Sequence, residues 1–340
     1  MVESLTIERC RNFDSREFRL FPRTIITGAN GVGKSTILEA IRVLSVGKSF
    51  RTGRLDELIR FDERHFRLEA LINRQQKVEF FYGSQFELSE GRDRQLTYQG
   101  NSIAWTDFLG AFPTVLFTPN DMEIVLGSPD VRRRYLDSVL WQVDPNYRQS
   151  QLEFAKGLRE KAALLFMVKI NRASPDELTP WNALMTGLTE VIRAARLRYI
   201  AYLNDSLASR LKGQDAKITI KYQADPRPAE EMINQEIKTA QNLYGAHRDE
   251  MMIEFDAFSA RRYASRGQSR LVVAYLKAAE ADYLRERTQN PVTVLLDDAM
   301  SELDNRNTRK LLELFQPDHQ LILTSAATLD LPKDWETIKL

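Results

Sequence analysis

The stretch Thr27-Gly28-Ala29-Asn30-Gly31-Val32-Gly33-Lys34-Ser35-Thr36 constrains this chain more than any other. Gly28 and Gly33 bracket four residues, and Lys34 and Ser35 follow at once, which is the G-x-x-x-x-G-K-[ST] pattern of a phosphate cradle. Glycine lets backbone amides turn inward around an anion because no side chain blocks the approach. On this reading Gly28 through Thr36 wrap the phosphates of a nucleoside triphosphate. Lys34 reaches the β- and γ-phosphates, and Ser35 offers its hydroxyl to Mg²⁺. The flanks agree. Thr24-Ile25-Ile26-Thr27 is short, apolar and β-branched, as a strand should be, and Ile37, Leu38, Ile41 and Leu44 recur at helical spacing. A helix beginning near Lys34 would aim its positive end at the phosphates.

At 340 residues the chain is long enough for one large or two moderate domains. A single cysteine, Cys10, excludes an internal disulfide framework and any multi-cysteine metal site. Glu3, Glu8 and Arg9 interrupt any signal-peptide core, and no apolar run nears the length of a bilayer span, so a cytoplasmic location without membrane contact is expected. Lys and Arg number 48 against 47 Asp and Glu. Net charge therefore does not announce nucleic acid, and any anionic polymer must be met by a local patch.

Along the chain, strands are expected at 4–7, 18–21, 66–72, 78–82, 95–98 and 114–117. From about Met122 to Leu211 helical periodicity takes over, with Ile192, Ala195, Tyr199, Leu203 and Leu207 on one face. Ser174-Pro175 and Thr179-Pro180 mark a break there. Strands return at 217–222 and 251–255, and a helix is expected from about Arg270 to Arg285. The layout is an α/β unit, 1–120 with 214–340, interrupted by a helical lobe at 121–213.

Two further stretches carry chemistry. Residues 292–298, Val-Thr-Val-Leu-Leu-Asp-Asp, form a continuous apolar run ending in two carboxylates. Such a run suits a central strand of a covered parallel sheet, with ligands at its carboxyl end. Asp297 would hold Mg²⁺ and Asp298 would polarise an attacking water. In "YASRGQSR", residues 263–270, Ser265, Gly267 and Gln268 form S-x-G-Q just before a helix. Ser265 could simply cap that helix, or the helix end could bind a second phosphate. One nucleotide does not need two such helix ends. Two copies of the chain would use both, each giving its S-x-G-Q to the other's nucleotide, which implies a symmetric dimer with two ATP in the seam.

With these motifs in hand the chain resembles the ABC-type ATPases of the SMC class, and within them the RecF family. "GANGVGKSTILEAI" and "SVGKSFRTGRLDELI" resemble the family's phosphate loop and its Ser-Phe-Arg segment. "FTPNDMEIVLGSPDVRRRYLD" is similar to its Phe-x-Pro-x-Asp segment, "GAHRDEMMIEF" to its Gly-x-His-Arg-Asp element, "ASRGQSR" to its signature, and "LLDDAMSELD" to the strand and D-loop that end at Asp304. The resemblance implies an ABC-type ATPase head of mixed sheets and flanking helices, with the helical insert as a second lobe. It implies ATP and Mg²⁺ as cofactors, with Gly28, Ala29, Asn30, Gly31, Val32, Gly33, Lys34, Ser35, Thr36, Ser265, Gly267, Gln268 and Asp304 around the nucleotide, Ser35 and Asp297 on the metal, and Lys34 and Asp298 in catalysis. It implies an ATP-driven homodimer that clamps duplex DNA or single-strand to double-strand junctions during replication and recombinational repair. Slow hydrolysis would release the clamp. RecR, RecO and, through them, RecA are the implied partners.

Departures are few. Asn120 stands where that family is usually acidic and Ala246 where it usually has proline, and Asn120 receives no chemical role. No histidine stands near Thr324 and Ser325, where transporters carry a switch histidine. Arg11, Asn12 and Phe13 form either a solvated turn or, as the resemblance implies, a segment near the nucleotide; His247, Arg248 and Asp249 are expected in a structural role, and His65 and His319 as ordinary residues. Residues 42–67 hold seven cations, Arg132 to Arg134 form a run, and Arg193, Arg196 and Arg198 decorate one helix. These are candidate phosphate contacts or plain solvated faces. The alternatives to a clamp are an SMC-like structural head, for which 122–211 is too short and too proline-broken, and a nucleotide-switched scaffold without significant turnover.

Overall fold

The computed structural model describes residues 1–84, 93–225, 227, 229–299, 305–327, 329 and 331–340. In chain order the first strands are β1 (Val2–Cys10), β2 (Phe13–Arg19), β3 (Arg23–Thr27), β4 (His65–Ile72), β5 (Gln76–Gly83), β6 (Asp93–Tyr98), β7 (Asn101–Ser102) and β8 (Thr114–Phe117). There follow β9 (Ile218–Gln223), β10 (Glu250–Phe255), β11 (Phe258–Ser259), β12 (Thr293–Asp297), β13 (Gln320–Ser325) and β14 (Glu336–Lys339). The chain divides into two compact units, 1–121 with 277–340, and 122–276. The α/β class expected from the sequence is what forms, with mixed sheets and flanking helices.

The first unit holds two sheets. One is antiparallel with order β2-β1-β4-β5-β6-β7, and the other is parallel with order β14-β3-β13-β12-β8. The helix Lys34–Val46 contacts strands of both. Ile37, Leu38, Ala40, Ile41, Val43 and Leu44 are fully buried, in one cluster with Leu5 and Phe66 from the first sheet and Leu295 and Ile322 from the second. A helix covered by two sheets has no solvent face, so its sequence reads apolar on nearly every side. Each of its buried Ile and Leu side chains contributes about 1.5–3 kcal/mol of transfer free energy.

β12 pairs with β13 on one side and β8 on the other, and its first four residues are buried. That is why Val-Thr-Val-Leu-Leu reads apolar without alternation. β2 begins earlier than expected, at Phe13 rather than at residue 18, and ends at Arg19. It is an edge strand facing water along Asp14 to Glu17, so its polar sequence hid it. Cys10 pairs with Phe13, leaving Arg11 and Asn12 as a two-residue hairpin turn with Arg11 at φ 55°.

The second unit carries the antiparallel sheet β11-β10-β9 and the helices Pro129–Val143, Pro145–Lys169, Leu178–Arg210 and Ala229–Thr239. Segment 214–276, expected with the α/β unit, clusters here, because β9 packs on Leu178–Arg210 and β10 on Pro129–Val143. Pro180 does not break the chain as expected. It lies in the first turn of Leu178–Arg210, where a missing N–H costs no helical bond. The break is at Ser174, whose side chain and Glu177 form a capping box. Among the described residues no helix is long and apolar enough to cross a membrane.

Buried charge holds this second unit together. Asp249, fully buried, accepts two bonds from Arg193 at 2.7 and 2.8 Å and one from the Tyr222 hydroxyl at 2.6 Å. Arg196 donates to Asp137 at 2.8 Å and to the Ala246 carbonyl at 2.8 Å. His247 and Arg248 donate or share with the Asn242 carbonyl at 3.2 and 2.8 Å. The Gly245-to-Asp249 element is therefore a tied loop.

Asp249→Ala should destabilise this unit by about 3–5 kcal/mol, because it strands the Arg193 guanidinium against a buried site. Urea unfolding followed by intrinsic fluorescence measures this, and a loss under about 1 kcal/mol would contradict the assigned role. Burial works against the charged carboxylate, but the Arg193 and Tyr222 hydrogen bonds outweigh it and hold the Asp249 carboxyl below its ordinary 3.8. Its contribution is thus complete above that value and lost as pH falls through the lowered one, and the alanine variant should lose that part of the acid sensitivity.

Candidate functional site: a phosphate loop and its carboxylates

β3 runs into the loop 28–33, and the helix Lys34–Val46 leaves it with Gly33 as its N-terminal cap residue at φ 112°. Gly33 is required there twice over. Its backbone lies in a region that side chains disfavour, and a Cβ would come within 2.7 Å of both Asn12 Nδ2 and Phe13 Cζ. The hairpin turn thus presses on the loop, and Asn12 Nδ2 donates to the Val32 carbonyl at 2.7 Å. Lys34 Nζ donates to the carbonyls of Gly28 and Ala29 at 2.8 and 2.9 Å, so the ammonium lies folded over its own loop.

At the carboxyl end of β12, Ser35 Oγ donates to Asp297 Oδ1 at 2.8 Å. The same oxygen accepts from Thr324 Oγ1 at 2.8 Å, and Thr324 Oγ1 accepts from the Asp298 amide at 3.0 Å. Thr324 comes from the neighbouring parallel strand β13, in register with Asp297. It orients both acidic residues through one hydroxyl. Asp298 adopts φ 48°, which turns its side chain out of the strand direction. Its carboxyl is raised above the ordinary range by burial and by the Asp297 charge, against an opposing pull from Lys34.

These groups line one cavity of about 440 Å³, with walls from Asn30, Gly31, Gly33, Lys34, Ser35, Thr36, Asp298 and Thr324. Arg11, Asn12 and Arg51 complete it, so Arg11 and Asn12 border the cavity, whereas Phe13 does not line it. Behind them stands Glu39. Arg11 donates to it at 3.0 and 3.2 Å, Ser49 Oγ donates to it, and Arg51 lies 3.5 Å away. The cavity can hold a polyanion: Lys34, Arg11 and Arg51 line it, Asp298 stands in its wall, and Asp297 is joined to it through Ser35 and Thr324.

Glu39 and Thr324 were not legible as functional. Glu39 is the one acid in the helix Lys34–Val46, and that isolation was the available signal. Thr324 looked only like a position lacking histidine.

Ser265, Gly267 and Gln268 belong to the second unit. Ser265 Oγ accepts from the Gln268 amide at 3.2 Å, and Gln268 Oε1 accepts from the Ser265 amide at 2.8 Å. This reciprocal cap opens the helix Arg266–Thr288, with Ser265, Arg266 and Gly267 exposed. The capping reading of the sequence is therefore realised, and the hydroxyl stands at the surface. Asp304 and the rest of the D-loop, 301–304, lie outside the described residues. Asn120 is exposed in a turn, while its neighbour Asp121 accepts from Thr118 and meets Lys277 at 3.0 Å.

The basic runs change meaning in the structure. Arg132 bonds Glu250 at 2.8 Å, Arg133 the Asp249 carbonyl at 2.8 Å, and Arg193 and Arg196 are spent on the buried network. Arg42 donates to Thr114. Arg134, Arg198 and Arg54 remain largely exposed.

Comparison with known proteins identifies the family. Residues 1–331 match the family described as RecF/RecN/SMC N terminal domain. The DNA replication and repair protein RecF of Caldanaerobacter subterraneus subsp. tengcongensis is 30% identical, over 98% of this chain and 96% of that protein. That of Roseiflexus castenholzii is 30% identical, over 97% and 94%. A solved structure of the recombination mediator protein RecF-ATPrS in the RecFOR pathway superposes with a TM-score of 0.87 at 27% identity, over 100% of this chain and 96% of that one. An SMC head bound to the C-winged helix domain of ScpA shares the fold, with a TM-score of 0.53 at 14% identity, over 96% and 89%. Matched from end to end in this way, the chain belongs to the RecF/RecN/SMC N-terminal domain family and, within it, to the RecF family.

Proposed function

We propose that this protein is an ATP-dependent DNA-binding protein of DNA replication and recombinational repair. ATP joins two copies into a clamp on duplex or gapped DNA, and slow hydrolysis opens it. The observation that carries the reading is the cavity shared by the phosphate loop, Ser35 and Asp298, with Asp297 bonded to Ser35 behind its wall. Support comes from relatives named for DNA replication and repair and from superposable structures of RecF-ATP and RecF-ATPrS. The RecFOR pathway to which those structures belong supports RecR and RecO as partners, with RecA loading as the outcome of their action.

The chemistry is phosphoryl transfer to water, so the protein mainly positions groups and neutralises charge. Loop amides and the positive end of Lys34–Val46 hold the phosphates. Lys34 exchanges the Gly28 and Ala29 carbonyls for phosphate oxygens. Ser35 and Asp297, already sharing a hydrogen bond, would hold Mg²⁺, which supplies charge neutralisation at the phosphates. Asp298 orients and polarises the water. Ser265, Gly267 and Gln268 serve the nucleotide of the second copy, with a hydroxyl and a helix end facing outward for it. DNA contacts read phosphate and not sequence.

Three outcomes test this. DNA binding, measured by sedimentation with and without ATP, should require ATP, and log affinity should fall roughly linearly with log salt. Binding that ignores both would overturn the clamp.

Asp298→Asn should keep ATP binding and lower turnover by about 100-fold or more. Because the Asp298 carboxyl holds its proton to a higher pH than an ordinary one, wild-type turnover should fall as pH drops through that raised value. The residual rate of Asp298→Asn should lack this acid limb. Unchanged turnover would move the water-orienting role elsewhere.

Ser265→Arg should leave ATP binding by the isolated monomer intact and abolish the ATP-driven dimer. Mixed with Lys34→Met, it builds one intact composite site per heterodimer, so ATPase should partly recover. A Ser265→Arg monomer unable to bind ATP at high dilution would sink the trans-acting assignment.

A further inference from the structure

Glu39 has no part in the scheme above, yet its placement is unusual. It lies one turn beyond the phosphate loop on the enclosed helix Lys34–Val46, with 1% of its side chain exposed. An ionised carboxylate in such a core persists only with partners. Its partners come from two separate segments that both border the phosphate cavity. Arg11 donates to both of its oxygens, at 3.0 and 3.2 Å, from the β1–β2 turn. Arg51 lies 3.5 Å away and Ser49 Oγ donates to it, from the segment that follows the helix. Ser49 Oγ in turn accepts from the amides of Arg51 and Thr52 at 2.9 and 3.1 Å. One carboxylate therefore restrains the Arg51 side chain directly and its backbone through serine.

We propose that Glu39 is a positioning residue, which holds the Arg11 and Arg51 guanidiniums in the wall of the phosphate cavity so that they meet a bound triphosphate already in place. Two guanidiniums share one carboxylate, so the wall keeps a net positive charge while each side chain is fixed. Arg51 has 46% of its side chain exposed and would otherwise sample many rotamers. Order supplied before binding is not lost on binding. Arg11 adds a second consequence: its turn carries Asn12, which bonds the loop carbonyl of Val32 at 2.7 Å. The carboxylate thus governs both the cations and the packing of the loop.

The inference rests on the nucleotide reading of the site, and the test separates the two. ATP affinity of the full chain is measured by titration calorimetry for wild type, Glu39→Gln, Arg51→Ala and the double variant. Glutamine keeps the shape but cannot hold two guanidiniums. Each single variant should weaken ATP about tenfold, and the double variant should also be about tenfold weaker, not a hundredfold, because both changes remove the same arrangement. A general packing role for Glu39 would instead make the two losses multiply. Folded Glu39→Gln with wild-type affinity, or multiplying losses, overturns the proposal. Should Glu39→Gln fail to fold, Arg51→Ala, which touches no core, decides it: wild-type ATP affinity there overturns the proposal equally. A wild-type chain that binds no ATP refutes the nucleotide reading itself.

Discussion

Enclosure of one helix between two sheets is the constraint on which the first unit depends. Lys34–Val46 touches strands of the antiparallel sheet on one side and of the parallel sheet on the other. Its axis is therefore fixed by packing on all sides, and so is the direction of its N-terminus. A phosphate loop needs such rigidity, because amides aimed at an anion are useful only if they stay aimed. The same enclosure forbids an unpaired charge, so the single acid on the helix draws Arg11 and Arg51 inward. What looks like a defect of the core connects the scaffold to the cavity wall.

The two adjacent carboxylates differ because a strand end separates them. Asp297 is still on β12, in register with Thr324, and accepts two hydroxyl bonds. Asp298 has left the ladder at positive φ and faces the cavity, where burial and its neighbour's charge favour its neutral form. Two chemically identical residues thus meet different environments, which is what the proposed division of roles between them requires.

Much of this was legible before the fold was known, for identifiable reasons. The loop 28–36 has a spacing that few other structures need, and β12 announces itself by being apolar on both faces. Strands exposed on one side were harder. β2 is polar for most of its length, and the short β7, β11 and β14 carry too few residues for any periodicity to register. Segment 214–276 has strands that read like those of the first unit, and only their packing on helices of 129–210 shows that they cluster there. Thr324 could not be found from sequence at all, since its role exists only through lateral register with Asp297.

Charge was the least readable property, and the reason bears on function. Counted along the chain, Arg132 to Arg134 and Arg193 to Arg198 look like two phosphate-binding patches. In the fold, Arg132, Arg133, Arg193 and Arg196 bond partners inside the second unit, so each run contributes one exposed cation, Arg134 or Arg198. An arginine whose donors are committed to partners inside the fold is not free to displace a counterion from DNA phosphate. The near-balance of 48 cations and 47 acids is thus partly internal bookkeeping of the core. For a chain with so little surplus positive charge, the proposed ATP-driven pairing of two copies would raise DNA affinity by doubling the surface, and would tie that gain to the nucleotide.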